Sequence, residues 1–140
     1  MRRAIALQIA AGGAAGLLTS ACANNPALAI TPEASSGKSL KIWSIHAEDD
    51  GDTVLVRGLV RRPALARGML DGHLHVVARF SDGRPEVIAD TRWSRIAPRG
   101  SRTGSYAVRL PIADAAAVSH LTVSYAPTAD VAGTIRGMNP

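Results

Sequence analysis

Between Leu40 and Pro127 apolar and polar residues alternate with a period of two, and few features constrain a fold more tightly. In TVLVRGLVRR, residues 53–62, Val54, Val56, Gly58 and Val60 fall on one side, and Leu55, Arg57, Leu59 and Arg61 on the other. Successive side chains of an extended chain point to opposite faces, so this pattern marks a strand buried on one side. The pattern recurs in HLHVVARF (73–80), with Leu74, Val76, Ala78 and Phe80 inward, and in EVIADTRW (86–93), with Val87, Ala89 and Trp93 inward. SYAVRL (105–110) buries Tyr106, Val108 and Leu110, and HLTVSYA (120–126) buries Leu121, Val123 and Tyr125. LKIWSIHA (40–47) opens the series, and turn clusters such as EDDGD and SDGRP separate its members. Asp82-Gly83 supplies the positive-φ residues that a tight hairpin loop needs. PIADAAAVS has room for one or two helical turns. No segment has a helical period, and no alternation of strands with helices suggests a parallel sheet. The pattern predicts an antiparallel β-sandwich of six to seven strands with one short helical crossover.

The first 23 residues read differently. Arg2 and Arg3 precede an uncharged stretch from Ala4 to Ala23, which is the layout of a secretory signal. Its end, LLTSAC, resembles a bacterial lipobox, which implies a lipid on Cys22, with Leu18 one place further out than usual and Thr19 in its stead. Ordinary cleavage has two further sites, before Asn24 and before Ile30, and either would release a soluble periplasmic or secreted protein. Cys22 is the only cysteine, so no internal disulfide forms. Residues 24–39 hold two prolines and a polar cluster and read as a linker. The domain is expected over 40–127, followed by a C-terminal tail over 128–140.

The net charge of +5 includes Arg2 and Arg3; without them 14 basic residues face 11 acidic ones. The arginines are scattered and lack the docking helix or stacking aromatics of a nucleic-acid site, so no nucleic-acid partner is expected. In its order of strands, with GHLHVVARFSDG, an Arg-rich loop, SYAVRLP and a closing VSYAP, the chain resembles small exported bacterial domains with an immunoglobulin-like or fibronectin-type sandwich. The cysteine pair of true immunoglobulin domains is absent, and Trp43 or Trp93 would have to stand for their core tryptophan. The resemblance implies adhesion, docking or accessory roles; with the signal, the protein is expected at the cell envelope, on the periplasmic side of the membrane and in contact with another envelope protein.

Two groups of residues carry chemistry. His73 and His75 alternate with Leu74 and Val76, so both imidazoles point outward on one face. Such a pair can chelate Cu²⁺ or Zn²⁺, and a third ligand would have to come from His46, His120, Asp71 or Met69. Arg79, on the same face, opposes a cation. The bland alternative is two polar residues on a wet strand. The second group is the loop RWSRIAPRGSR, where Arg92, Arg95, Arg99 and Arg102 surround Trp93 and could grip an acidic surface. No nucleophile elbow and no phosphate loop is present, and the acidic turn 48–52 lacks the ligand spacing of a calcium loop. The expectation is a non-enzymatic binding or accessory module without a cofactor; the alternative is a periplasmic copper- or zinc-binding protein using His73 and His75.

Overall fold

The structure is a computed structural model and describes residues 25–128; the expected signal segment with Cys22, and the expected tail beyond 128, lie outside the described residues. Seven strands form: β1 (Glu33–Ser35), β2 (Lys41–Asp49), β3 (Val54–Arg61), β4 (His73–Phe80), β5 (Val87–Thr91), β6 (Thr103–Leu110) and β7 (Val118–Ala126), with a single 3₁₀ turn at Ala115–Ala117. They make two sheets, ordered β2-β3-β6 and β1-β7-β4-β5. All pairings are antiparallel except β1 with β7.

The alternation places the core where the sequence predicts it. Val54, Val56 and Val60 from β3, Leu74, Val76 and Ala78 from β4, and Val123 from β7 are fully buried in one cluster fed by both sheets. Fully burying a side chain of this size stabilises by about 1.5–3 kcal/mol relative to leaving it in water, which makes the inward face of each strand its defining property. Tyr106 and Leu110 of β6 join the same cluster, while Val87, Ala89 and Trp93 pack against its margin. Trp43 stays outside, 58% exposed, with the Arg61 guanidinium 5.1 Å above its ring.

The linker expected over 24–39 is a correction. Ala27 bridges Glu48, and the Leu28 amide donates to Ala47 O at 3.0 Å while the Asp49 amide donates to Pro26 O at 2.9 Å. The chain then crosses to the other sheet, where β1 pairs with Thr122–Ser124 of β7. The physical reason is that β7 leaves an open row of backbone donors and acceptors on that edge, and exposed edges are covered where chain is at hand. Leu28 and Ile30, partly buried, pack against the core. The folded unit therefore begins at least 15 positions before Leu40, counted from Asn25.

A second crossover ties the opposite edges together. β5 ends two residues earlier than expected, yet the chain continues beside β6, with the Ser94 amide donating to Ser105 O at 2.8 Å and the Ser105 amide to Ser94 Oγ at 2.9 Å. Among the described residues no helix is long and apolar enough to cross a membrane.

Candidate functional sites

β4 is bonded on both sides, by β5 and β7, and so holds its side chains on a rigid element. His73 and His75 share its outward face, with ring centroids 6.4 Å apart and side chains 37% exposed. Directly opposite His75 in the β4–β5 register stands Asp90. His75 Nδ1 donates to Asp90 Oδ1 at 2.6 Å, and His73 Nε2 lies 3.5 Å from the same oxygen. One nitrogen from each imidazole and one carboxylate oxygen thus fall within 4.8 Å of one another.

The third member was missed from the sequence, and none of the partners expected for the pair supplies it. His120 sits opposite Arg79, at the far end of the β4–β7 pairing. His46 belongs to β2 in the other sheet, where it faces Arg57. Met69 is 97% exposed on a loop, and Asp71 is engaged through its backbone carbonyl, which accepts from Tyr125 Oη at 2.6 Å. Asp90 was legible, because Val87 and Ala89 inward put Ile88 and Asp90 outward. The opposing charge of Arg79 is also met locally, since its Nε donates to Glu86 Oε2 at 3.2 Å.

The arginines divide by end of the molecule. Around the turns at Asp49–Thr53, Asp82–Arg84 and Asp114, each is matched to a carboxylate: Arg57 to Glu48, Arg79 to Glu86, Arg84 to Asp82 and Asp114, and Arg109 to Asp50. Hydrogen bonding to Arg109 holds the Asp50 carboxyl below the usual carboxylate range, with Asn25 and Thr53 adding to it against the effect of burial. Arg84 does the same for Asp82. In the acidic turn 48–52, Glu48, Asp49 and Asp50 are therefore engaged in internal bonds.

At the other end, where β2 and β6 begin and β3 ends, Arg61, Arg67, Arg95 and Arg99 are exposed and have no carboxylate partner among the described residues. The candidate loop 92–102 splits. Arg92 lines an open groove of about 620 Å³ with His46, Glu48 and Arg57. Trp93 turns toward the core and meets Tyr125 with ring centroids 6.0 Å apart. Arg102 reaches back instead of outward, donating to Ala64 O at 2.8 Å and Ala66 O at 3.3 Å. It thereby ties down the loop that carries Leu65 and Met69, which are 89% and 97% exposed.

Fold and sites together define a small two-sheet β protein with an open nitrogen–oxygen cluster and one end of uncompensated positive charge. No family model, curated protein or solved structure matches the chain.

Proposed function

We infer that this is an exported bacterial envelope protein of the immunoglobulin-like type, anchored by a lipid on Cys22, that acts without catalysis as a binding module for another envelope protein. The chain path supports the immunoglobulin-like reading: after the β2-β3 hairpin it crosses to β4-β5, returns to β6 beside β3, and crosses again to β7 beside β4. The anchor rests on LLTSAC.

One observation carries the functional reading: the chain enters at the end opposite to the unpaired arginines. Asn25 Nδ2 donates to Asp50 Oδ1 at 2.9 Å, at the turn between β2 and β3, whereas Lys41 and Arg61 face each other at the far end of those strands. The nine residues of β2 separate the two ends by roughly 25 Å. Three residue steps from Cys22 to Asn25 extend no more than about 11 Å. A lipid on Cys22 therefore sets the charge-matched end against the bilayer and turns the basic end away from it. A surface rich in arginine with projecting Leu65, Met69 and Trp43 has the composition of a protein interface core, and its charge suits an acidic partner.

The test has two parts. Mass spectrometry of the mature N-terminus reads the anchor: a diacylglyceryl mass on Cys22 is expected, and an unmodified start at Asn24 or Ile30 removes it. A photo-crosslinker at Arg67, beside one at Arg84, reads the partner: crosslinks to a defined acidic segment from position 67 alone are expected, and equal labelling from both ends defeats the reading.

A further inference from the structure

Independently of the envelope reading, we propose that His73, His75 and Asp90 form a binding site for one divalent transition ion, Cu²⁺ or Zn²⁺, held by His73 Nε2, His75 Nδ1 and Asp90 Oδ1.

The argument is geometric first. An ion bound at 2.0–2.2 Å in tetrahedral fashion keeps its donor atoms about 3.3–3.5 Å apart. His73 Nε2 and Asp90 Oδ1 already stand 3.5 Å apart, and His75 Nδ1 and Asp90 Oδ1 need only open from 2.6 Å as an ion replaces the shared proton. The three donors come from two hydrogen-bonded strands in fixed register, so little ordering remains to be done on binding. The two imidazole nitrogens lie within 4.8 Å of each other, and terminal χ rotation has to bring them to the donor spacing of about 3.3–3.5 Å.

The donor set selects the ion. Two imidazole nitrogens and one carboxylate oxygen suit Zn²⁺ and Cu²⁺, whereas Mg²⁺ and Ca²⁺ prefer all-oxygen cages. Among the described residues no sulfur belongs to the cluster, so Cu⁺, which favours thiolate and thioether ligands, is a poor match for these three donors. Charge also permits it: Asp90 is 56% exposed with no arginine or lysine bonded to it among the described residues, and Arg79 on the same strand face is occupied by Glu86. With three protein ligands on an open face, water completes the coordination and the ion exchanges with solvent. Divalent ions at such a position follow the Irving–Williams order, so Cu²⁺ binds more tightly than Zn²⁺.

The experiment is calorimetric titration of the full chain with Zn²⁺, Cu²⁺ and Ca²⁺, beside His73→Ala/His75→Ala and Asp90→Asn. All three side chains lie on the outer face, and circular dichroism and the thermal midpoint establish that the variants fold. One Zn²⁺ or Cu²⁺ per chain is expected, with no Ca²⁺, at least tenfold weaker binding in Asp90→Asn and none at the site in the double variant. ¹⁵N shifts of His75 in the zinc form are expected to place the ion on Nδ1. Absence of saturable binding overturns the site, and so does undiminished binding in the double variant, which retains Cys22, His46 and His120. Wild-type affinity in Asp90→Asn overturns the three-ligand assignment. Parent and variants are compared with Cys22 in the same state, so the difference between them reads the site whether or not Cys22 carries a lipid.

Discussion

The Tyr106 hydroxyl on β6 donates to the Ser44 carbonyl on β2 at 2.9 Å, reaching across β3 above Gly58. The contact sits where β2 is irregular between Ile42 and Ser44, and there the Ser44 hydroxyl oxygen accepts from the Leu59 amide at 3.1 Å. A Cβ added at Gly58 would stand 1.9 Å from that oxygen and 2.7 Å from Tyr106 Oη. The nearer obstacle is backbone and cannot swing aside. Gly58→Ala is therefore expected to destabilise by about 3 kcal/mol or more, at the upper end of overpacking costs. Tyr106→Phe keeps the ring and loses one bond, for about 1 kcal/mol. Urea unfolding measures both, and the reverse order would refute the account of the bulge.

Tyr106 also predicts an alkaline response. Burial pushes its phenol up to about 12, above the ordinary value of 10.0. A raised folded value means that the protonated phenol stabilises the native state fully below the unfolded value, and that this is lost as pH climbs through the folded one. Stability is expected to hold to about pH 10 and then fall toward pH 12. Ultraviolet titration of Tyr125→Phe, which leaves Tyr106 as the one tyrosine, should show no phenolate until that fall begins. Phenolate formed at lower pH in the folded state would contradict it.

The N-terminal segment is part of the fold, and its removal should show. Starting the chain at Ile30 deletes the Ala27–Glu48 bridge, the bonds of Pro26 and Leu28, and the packing of Leu28. The expected loss is about 2–4 kcal/mol from two backbone bonds and one partly buried leucine. Thermal unfolding of that truncation against a chain starting at Asn24 decides it. The same segment should loosen in acid. Asp50, which holds Asn25 and Arg109, has its folded carboxyl lowered, so its contribution is complete above the ordinary value of 3.8. It is lost only as pH falls below that. Hydrogen exchange at the Leu28 amide follows this directly, and protection that fades well above pH 4 would exclude Asp50 as the cause.

Alternation made most of the strands readable, because burial on one face repeats over eight residues in β3 and β4 and leaves no second solution. β1 offered nothing of the kind. Its three residues, Glu33, Ala34 and Ser35, are all exposed and serve the edge of β7 through backbone bonds alone. Composition does not encode that. Asp90 was readable in part: its face followed from Val87 and Ala89, but its position opposite His75 depends on a loop length. Counting SDGRP as five loop residues pairs His75 with Thr91, one step away from the observed His75–Asp90 pair. Such a shift would also put Asp90 opposite Val76, on the wrong face, so the core rejects it. The homeward turn of Arg102 had no sequence signal, since its partners are carbonyls 36 and 38 residues away.

That turn gives the last prediction its contrast. Arg95 and Arg99 share a loop with Arg102, but they are exposed and bonded to nothing among the described residues, while Arg102 donates to two carbonyls of the Leu65 loop. Substitution of free surface charges changes stability by about 0.5 kcal/mol or less, whereas losing two carbonyl bonds costs about 1–2 kcal/mol. Arg102→Ala should therefore lower the thermal midpoint and release the Leu65 loop to proteolysis. Arg95→Glu/Arg99→Glu should leave the midpoint in place and abolish retention on immobilised poly-L-glutamate. That retention should itself weaken with salt, as contacts between exposed charges do over a screening length of about 8 Å at physiological ionic strength. If the double charge reversal binds poly-L-glutamate as the parent does, the basic end is an ordinary solvated surface. If Arg102→Ala has no effect on the midpoint, the two carbonyl contacts do not order the loop, and the division of labour among the three arginines fails with them.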